Sequence, residues 1–84
     1  MTPEKFIELM EIDNVGKWEG DNAYKGLQII AKYTDNIVQG AGHDIIYSEN
    51  IDTLIENGIT EEDVIALREL NWMIYECDYL ACYV

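Results

Sequence analysis

Several short stretches of this chain carry residue types that could do chemistry. "GAGHDI" (Gly40 to Ile45) sets a G-x-G pair before His43 and Asp44. A dinucleotide fingerprint needs a third glycine and a following helix N-terminus to hold the pyrophosphate, and the residues after Asp44 read as a strand. His43 and Asp44 resemble a base with its orienter, yet neighbours on a strand point to opposite faces and cannot support each other. "DNAYKG" (Asp21 to Gly26) has the opening Asp and sixth-position Gly of an EF-hand loop, but Ala23 and Lys25 stand at ligand positions. Cys77 and Cys82, with the lone His43, are too few for a zinc site, and five residues apart on a strand they face opposite ways. These observations predict reduced thiols, no metal, no cofactor and no catalytic centre.

The carboxylates form a different pattern. "HDIIYSENIDTLIENGITEED", from His43 to Asp63, holds seven acids and no Lys or Arg: Asp44, Glu49, Asp52, Glu56, Glu61, Glu62 and Asp63. The whole chain has 17 acids against 5 basic residues, net −12. Residues 1–32 contribute six acids and four lysines (−2); residues 33–84 contribute eleven acids and only Arg68 (−10). Such a surface repels nucleic acid and anionic lipid and attracts basic proteins. A net charge of magnitude about 2–8 already keeps a small domain soluble. Glu4/Glu8 and Asp52/Glu56 are like-charged i,i+4 pairs, each costing about 0.2–0.5 kcal/mol. Carboxylates kept at a local cost suggest a surface that imitates a polyanion.

The elements that must position these residues can be read along the chain. Thr2, Pro3 and Glu4 suit a cap, a first helical position and a first turn, so "TPEKFIELMEI" is a helix with Phe6, Ile7, Leu9 and Met10 on one face. "DNVGKWEGDN" is turn-rich, with Trp18 as a loop plug over the core. Asp21 or Asn22 caps a second helix over Ala23 to Tyr33, with Ala23, Leu27, Ile30 and Ala31 inward. Gly26 inside that helix costs about 1 kcal/mol against Ala and signals a close approach by another element. "NIVQGAG" and "HDIIYS" read as two strands around a Gly-Ala-Gly turn. "NIDTLIEN" is a short helix stopped by Gly58, and Thr60 to Asp63 starts the longest helix, Glu61 to Ile74. "ECD" turns the chain into a third strand, "YLACYV". Tyr47, Tyr75, Tyr79 and Tyr83 are expected as fillers of sheet and core.

On the long helix, Ala66, Leu67, Leu70, Met73 and Ile74 share the inner face. Ile65 and Trp72, seven apart, fall on the other side with Arg68 and Glu69. Two readings stay open for them: a helix sandwiched between two layers, or an apolar anchor set among acids, the pattern of an interface hot spot.

Eighty-four residues, 49% hydrophobic, make one domain over 1–84. The order ααββααβ predicts an α+β fold, a small, largely antiparallel sheet of two to three strands packed with about four helices. The start lacks the basic and apolar regions of a signal peptide, and no apolar run reaches the roughly 18 residues of a membrane helix, so a cytoplasmic protein is expected.

A short acidic α+β chain ending "LRELNWMIYECDYLACYV" resembles small phage-encoded proteins, and in character the anti-CRISPR and anti-restriction inhibitors. That resemblance implies a DNA-like charge surface occupying the basic groove of a nucleic-acid-handling complex in the host cell cytosol. The expected function is therefore a non-enzymatic inhibitor that binds a basic protein or ribonucleoprotein complex and no nucleic acid itself. The seven acids, with Glu69, would stand in for phosphates, and Ile65 and Trp72 would anchor. The alternative is an adaptor whose acids only solubilise it and which binds through an apolar helix face or homodimerises. A more remote class is a small-ligand binder using the Trp18 loop.

Overall fold

Single residues set the helix boundaries. The computed structural model describes residues 1–11 and 20–83; Trp18 and its loop lie outside them. Thr2 Oγ1 accepts from Lys5 N at 3.1 Å, and Pro3 opens α1 (Pro3–Glu11), which buries Phe6 and Leu9. Helix α2 (Asn22–Ile30) follows Asp21, which pairs with Lys25 at 3.3 Å. Its inward stripe is Asn22, Gly26 and Ile30, four apart, flanked by Ala23, Leu27 and Ile29; the helix stops short of Tyr33 and Ala31 is exposed, not inward.

Asn50 Oδ1 accepts from Asp52 N (2.8 Å) to start α3 (Ile51–Glu56), and Thr60 Oγ1 accepts from Asp63 N (3.2 Å) to start α4 (Glu61–Glu69). Both helices close by the same motif. After α3, Gly58 takes φ +88 while Gly58 N and Ile59 N donate to Ile55 O and Leu54 O. After α4, Asn71 takes φ +64 while Asn71 N and Trp72 N donate to Arg68 O and Leu67 O. These are Schellman closures, with a hydrophobic pair across each: Ile59 with Leu54, and Trp72 with Leu67.

The second closure corrects the expected helix end. Asparagine enters the left-handed region more easily than most residues, so "LNW" ends α4 five residues before Ile74. The freed residues Met73–Tyr75 form β3, and the sheet has four strands instead of two or three. Its order is β1 (Gly40–Ala41), β2 (Ile45–Asn50), β4 (Tyr79–Tyr83), β3, antiparallel throughout. With four helices among the described residues, the fold is α+β.

The hairpin turns also differ in detail. Gly42 N donates to Ile45 O at 2.8 Å, so His43 and Asp44 occupy the β1–β2 turn, and "NIVQGAG" pairs only at its end. Between β3 and β4, Glu76–Asp78 form a three-residue 3-10 turn with Asp78 at φ +63, the left-handed position such loops require.

One hydrophobic cluster draws on every helix and on β4: Phe6, Leu9, Ile30, Ile51, Leu54, Ile59, Val64, Leu67, Trp72, Leu80 and Cys82. On the sheet, Leu80, Cys82 and Ile74 point into it. Alternation then sends Tyr75, Tyr79, Ala81, Tyr83, Ile45 and Tyr47 to the opposite face, as the registers Tyr75↔Tyr79, Tyr47↔Ala81 and Ile45↔Tyr83 require. Helices cover the first face; among the described residues no helix covers the second.

Candidate functional site: an acidic helical edge and an open tyrosine face

The acids of the second half do not share one fate. Asp52 and Glu56 are exposed on α3, Glu61 and Glu62 are exposed in the first turn of α4, and Glu69 is exposed at its last residue, 3.9 Å from Arg68. In first turns, Asp52, Glu61 and Glu62 meet the positive helix end and are favourable there; Glu56 closes α3 and is not. Asp44 is exposed in the hairpin turn, but the six residues of β2 place it about 20 Å along the strand from α3. The run that is continuous in sequence is thus an edge formed by α3 and the start of α4, plus a distant carboxylate.

Glu49 is a correction. It is only 8% exposed. Its Oε1 accepts from Thr34 Oγ1 (2.9 Å), and its Oε2 accepts from Gln39 Nε2 (2.5 Å) and Asn50 N (3.0 Å). The cause is a β-bulge: between the pairs Tyr47↔Ala81 and Asn50↔Tyr79, Ser48 and Glu49 together oppose the single Leu80. The extra residue re-aims Glu49 at the 34–39 segment, and Ser48 Oγ ties the same segment through Ile37 O at 2.5 Å. A carboxylate so held cannot stand in for a phosphate.

Asp63 also turns inward. Its Oδ2 lies 2.7 Å from Lys32 Nζ and accepts from Tyr33 OH, joining the end of α2 to the start of α4. Desolvation pushes the Asp63 carboxyl up, but the hydrogen bonds from Lys32 and Tyr33 and the Lys32 charge outweigh it and hold its pKa below the ordinary range. The bond to Asp63 raises Lys32 in turn. A carboxyl lowered on folding stabilises the fold at every pH above its unfolded value of 3.8, and that contribution disappears as pH falls through the folded value. Asp63→Asn is therefore expected to cost about 1–3 kcal/mol at neutral pH. Urea unfolding of both proteins at neutral and strongly acid pH measures this; a gap that persists in acid would show that the ion pair is not its source.

Trp72 and Ile65 are not an exposed anchor. Trp72 is 3% exposed, and its Nε1 donates to Asn22 O at 3.1 Å. A Cβ at Gly26 would lie 1.9 Å from that nitrogen, so the close approach expected at Gly26 is the indole itself. Ile65 is half-buried and packs against the core cluster. With both turned inward, the apolar helix face on which an adaptor would dock is occupied by the protein's own core.

Sequence reasoning missed the tyrosine face. Tyr47, Tyr75 and Tyr79 surround a groove of about 390 Å³ with Gln39, Gly40 and Glu76. The Tyr47 and Tyr75 rings sit 5.4 Å apart, tilted 52°. Tyr75 and Tyr83 are 40% and 53% exposed, yet Ala81 and Ile45 beneath the rings are buried, at 0% and 7%. Packing against its neighbours pushes the Tyr47 phenol above its ordinary range, with Tyr75, Glu76 and Tyr83 adding to the effect. The signal in the sequence was tyrosine at positions 47, 75, 79 and 83, which form a face only once the strand register is known.

Among the described residues, no group of three or more His, Cys, Asp or Glu could hold a metal ion. Burial pushes the Cys82 thiol up, which makes it a poor nucleophile. No described helix is long and apolar enough to cross a membrane. No family model, no curated protein and no solved structure matches the chain.

Proposed function

We propose that this protein is a non-enzymatic inhibitor that presents an acidic helical edge to a basic nucleic-acid-binding protein or ribonucleoprotein complex, as in the phage inhibitors it resembles. One observation carries the reading. Asp52, Glu56, Glu61 and Glu62 are exposed and make no ion pair among the described residues, while Lys25, Lys32 and Arg68 are engaged with Asp21, Asp63 and Glu69. Among the described residues that negative charge has no ion-pair partner, which supports a basic partner. Electrostatic complementarity of this kind acts mainly on the rate of encounter and weakens with salt.

The test reverses charge on α3. Asp52→Lys/Glu56→Lys moves the net charge from −12 to −8, two changes of +2 each. Relief of the like-charged pair and loss of the favourable first-turn Asp52 offset each other, so folding stability should hold. Binding to an immobilised arginine-rich peptide at low salt should weaken about ten- to a hundredfold, chiefly through a slower on-rate, with a shallower salt dependence. Surface plasmon resonance at two salt concentrations reads both quantities. Unchanged affinity and salt slope would reduce the acids to a solubilising surface.

A further inference from the structure

We propose that the open face of the sheet is an arginine-recognition surface, on which a guanidinium of the basic partner stacks against Tyr47 and Tyr75 and pairs with Glu76. The inference rests on the reading above, that the partner is basic, and names the side chain it would offer.

The geometry selects a flat cation. Two phenol rings 5.4 Å apart and tilted by 52° offer one face for stacking and a second ring beside it. The negative face of an aromatic ring attracts a cation, and the guanidinium, planar and weakly hydrated, stacks there better than an ammonium. Glu76 lines the same groove next to Tyr75, within the Glu76–Asp78 turn, and a carboxylate can take a guanidinium through two parallel hydrogen bonds. The groove, about 390 Å³, lies at the small end of ligand-binding clefts and has room for an arginine side chain.

The rings are also held in place before any partner arrives. Tyr47 lies across Gly40 on the neighbouring strand, its Cδ2 3.5 Å from where a Cβ would sit, so the ring rests at ordinary contact distance over β1. Ala81, on the same face, is fully buried. A tyrosine has two χ angles and loses little entropy when a partner orders it.

Charge excludes the other occupants. Stacked bases would bring phosphates toward a protein of net −12, and binding single-stranded nucleic acid needs a basic groove. A second copy would bring another −12 against the first.

The test uses the whole protein with two synthetic peptides of equal length, one of arginine and one of lysine, followed by NMR of the tyrosine rings and by calorimetry. The arginine peptide should bind about three- to tenfold more tightly than the lysine peptide and shift the ring resonances of Tyr47, Tyr75 and Tyr79. Tyr75→Ala should erase that preference without altering the salt slope, because no charge is lost, and Tyr75→Phe should restore it. Glu76→Gln should weaken both peptides, the arginine one more.

Equal affinity for the two peptides with unmoved rings overturns the inference. If the α3 charge reversal still weakens binding in that case, the acidic-edge reading stands alone. Failure of both peptides to bind at low salt removes both readings. Ring shifts that follow protein concentration, with a dimer in sedimentation, would assign the face to a second copy and overturn the arginine reading. Should Tyr75→Ala fail to fold, the wild-type ring shifts and peptide preference decide.

Discussion

Trp72→Ala should destabilise the protein by about 3–5 kcal/mol, the usual cost of truncating a buried tryptophan. A domain of 84 residues has about 4–13 kcal/mol in all, so the variant should lose a quarter or more of its stability. Three losses combine: the indole's packing in the main cluster, the hydrogen bond from Nε1 to Asn22 O, and the hydrophobic pair with Leu67 that locks the α4 closure. Gly26→Ala attacks the same contact from the other side. Its Cβ would fall 1.9 Å from Nε1 and 2.3 Å from Cε2, so the indole must leave its seat or α2 must move away. The two positions should therefore be coupled. Trp72→Phe removes the part of the ring that meets Gly26, and the double variant Gly26→Ala/Trp72→Phe should be more stable than the sum of the single changes allows. Urea unfolding followed by circular dichroism reads all four proteins. A Trp72→Ala variant that keeps its stability and only loses partner faster would return Trp72 to the surface and contradict its burial.

Glu49→Ala is expected to cost about 2–4 kcal/mol, through the three donors it leaves without their acceptor. Thr34, Gln39 and the Asn50 amide all converge on this carboxylate, and together they fasten the 34–39 segment along β2. That segment leads into the two-residue β1, and among the described residues its backbone bond to β2 is Gln39 N to Tyr47 O at 2.9 Å, so side chains carry most of its attachment. Glu49→Gln keeps the shape and part of the acceptor capacity and should cost roughly half as much. Neither change should alter peptide binding by the folded fraction beyond the effect of one charge. A stable Glu49→Ala protein with weakened binding would put this carboxylate back among the contact residues. Hydrogen exchange should show the amides of residues 34–39 opening first in both variants.

These variants divide along the line between local and distant causes. Helix starts at Thr2, Asn50 and Thr60, the stop at Gly58, and the inward faces of α1 and α3 were legible because each depends on neighbours within a turn or two. The glycine inside α2 announced a close approach for the same reason: nothing local needs it. Charge and its imbalance are sums over residues and require no fold at all. The end of α4 was legible in principle, since Asn71 can close a helix, but hydrophobic periodicity runs on through Ile74 and masks it.

Tertiary structure alone decided which acids face outward. Glu49 and Asp63 look like their exposed neighbours in sequence; a bulge in β2 and a lysine thirty-one residues away turn them in. It likewise chose core over surface for Trp72, whose partner Gly26 lies on another helix. The tyrosine face is the clearest case. Tyr47, Tyr75 and Tyr79 come from three strands, and no window of sequence contains them together. Periodicity assigns a side chain to one face of its own strand, but only the pairing of strands brings those faces side by side, because register is set by contacts between residues far apart in the chain.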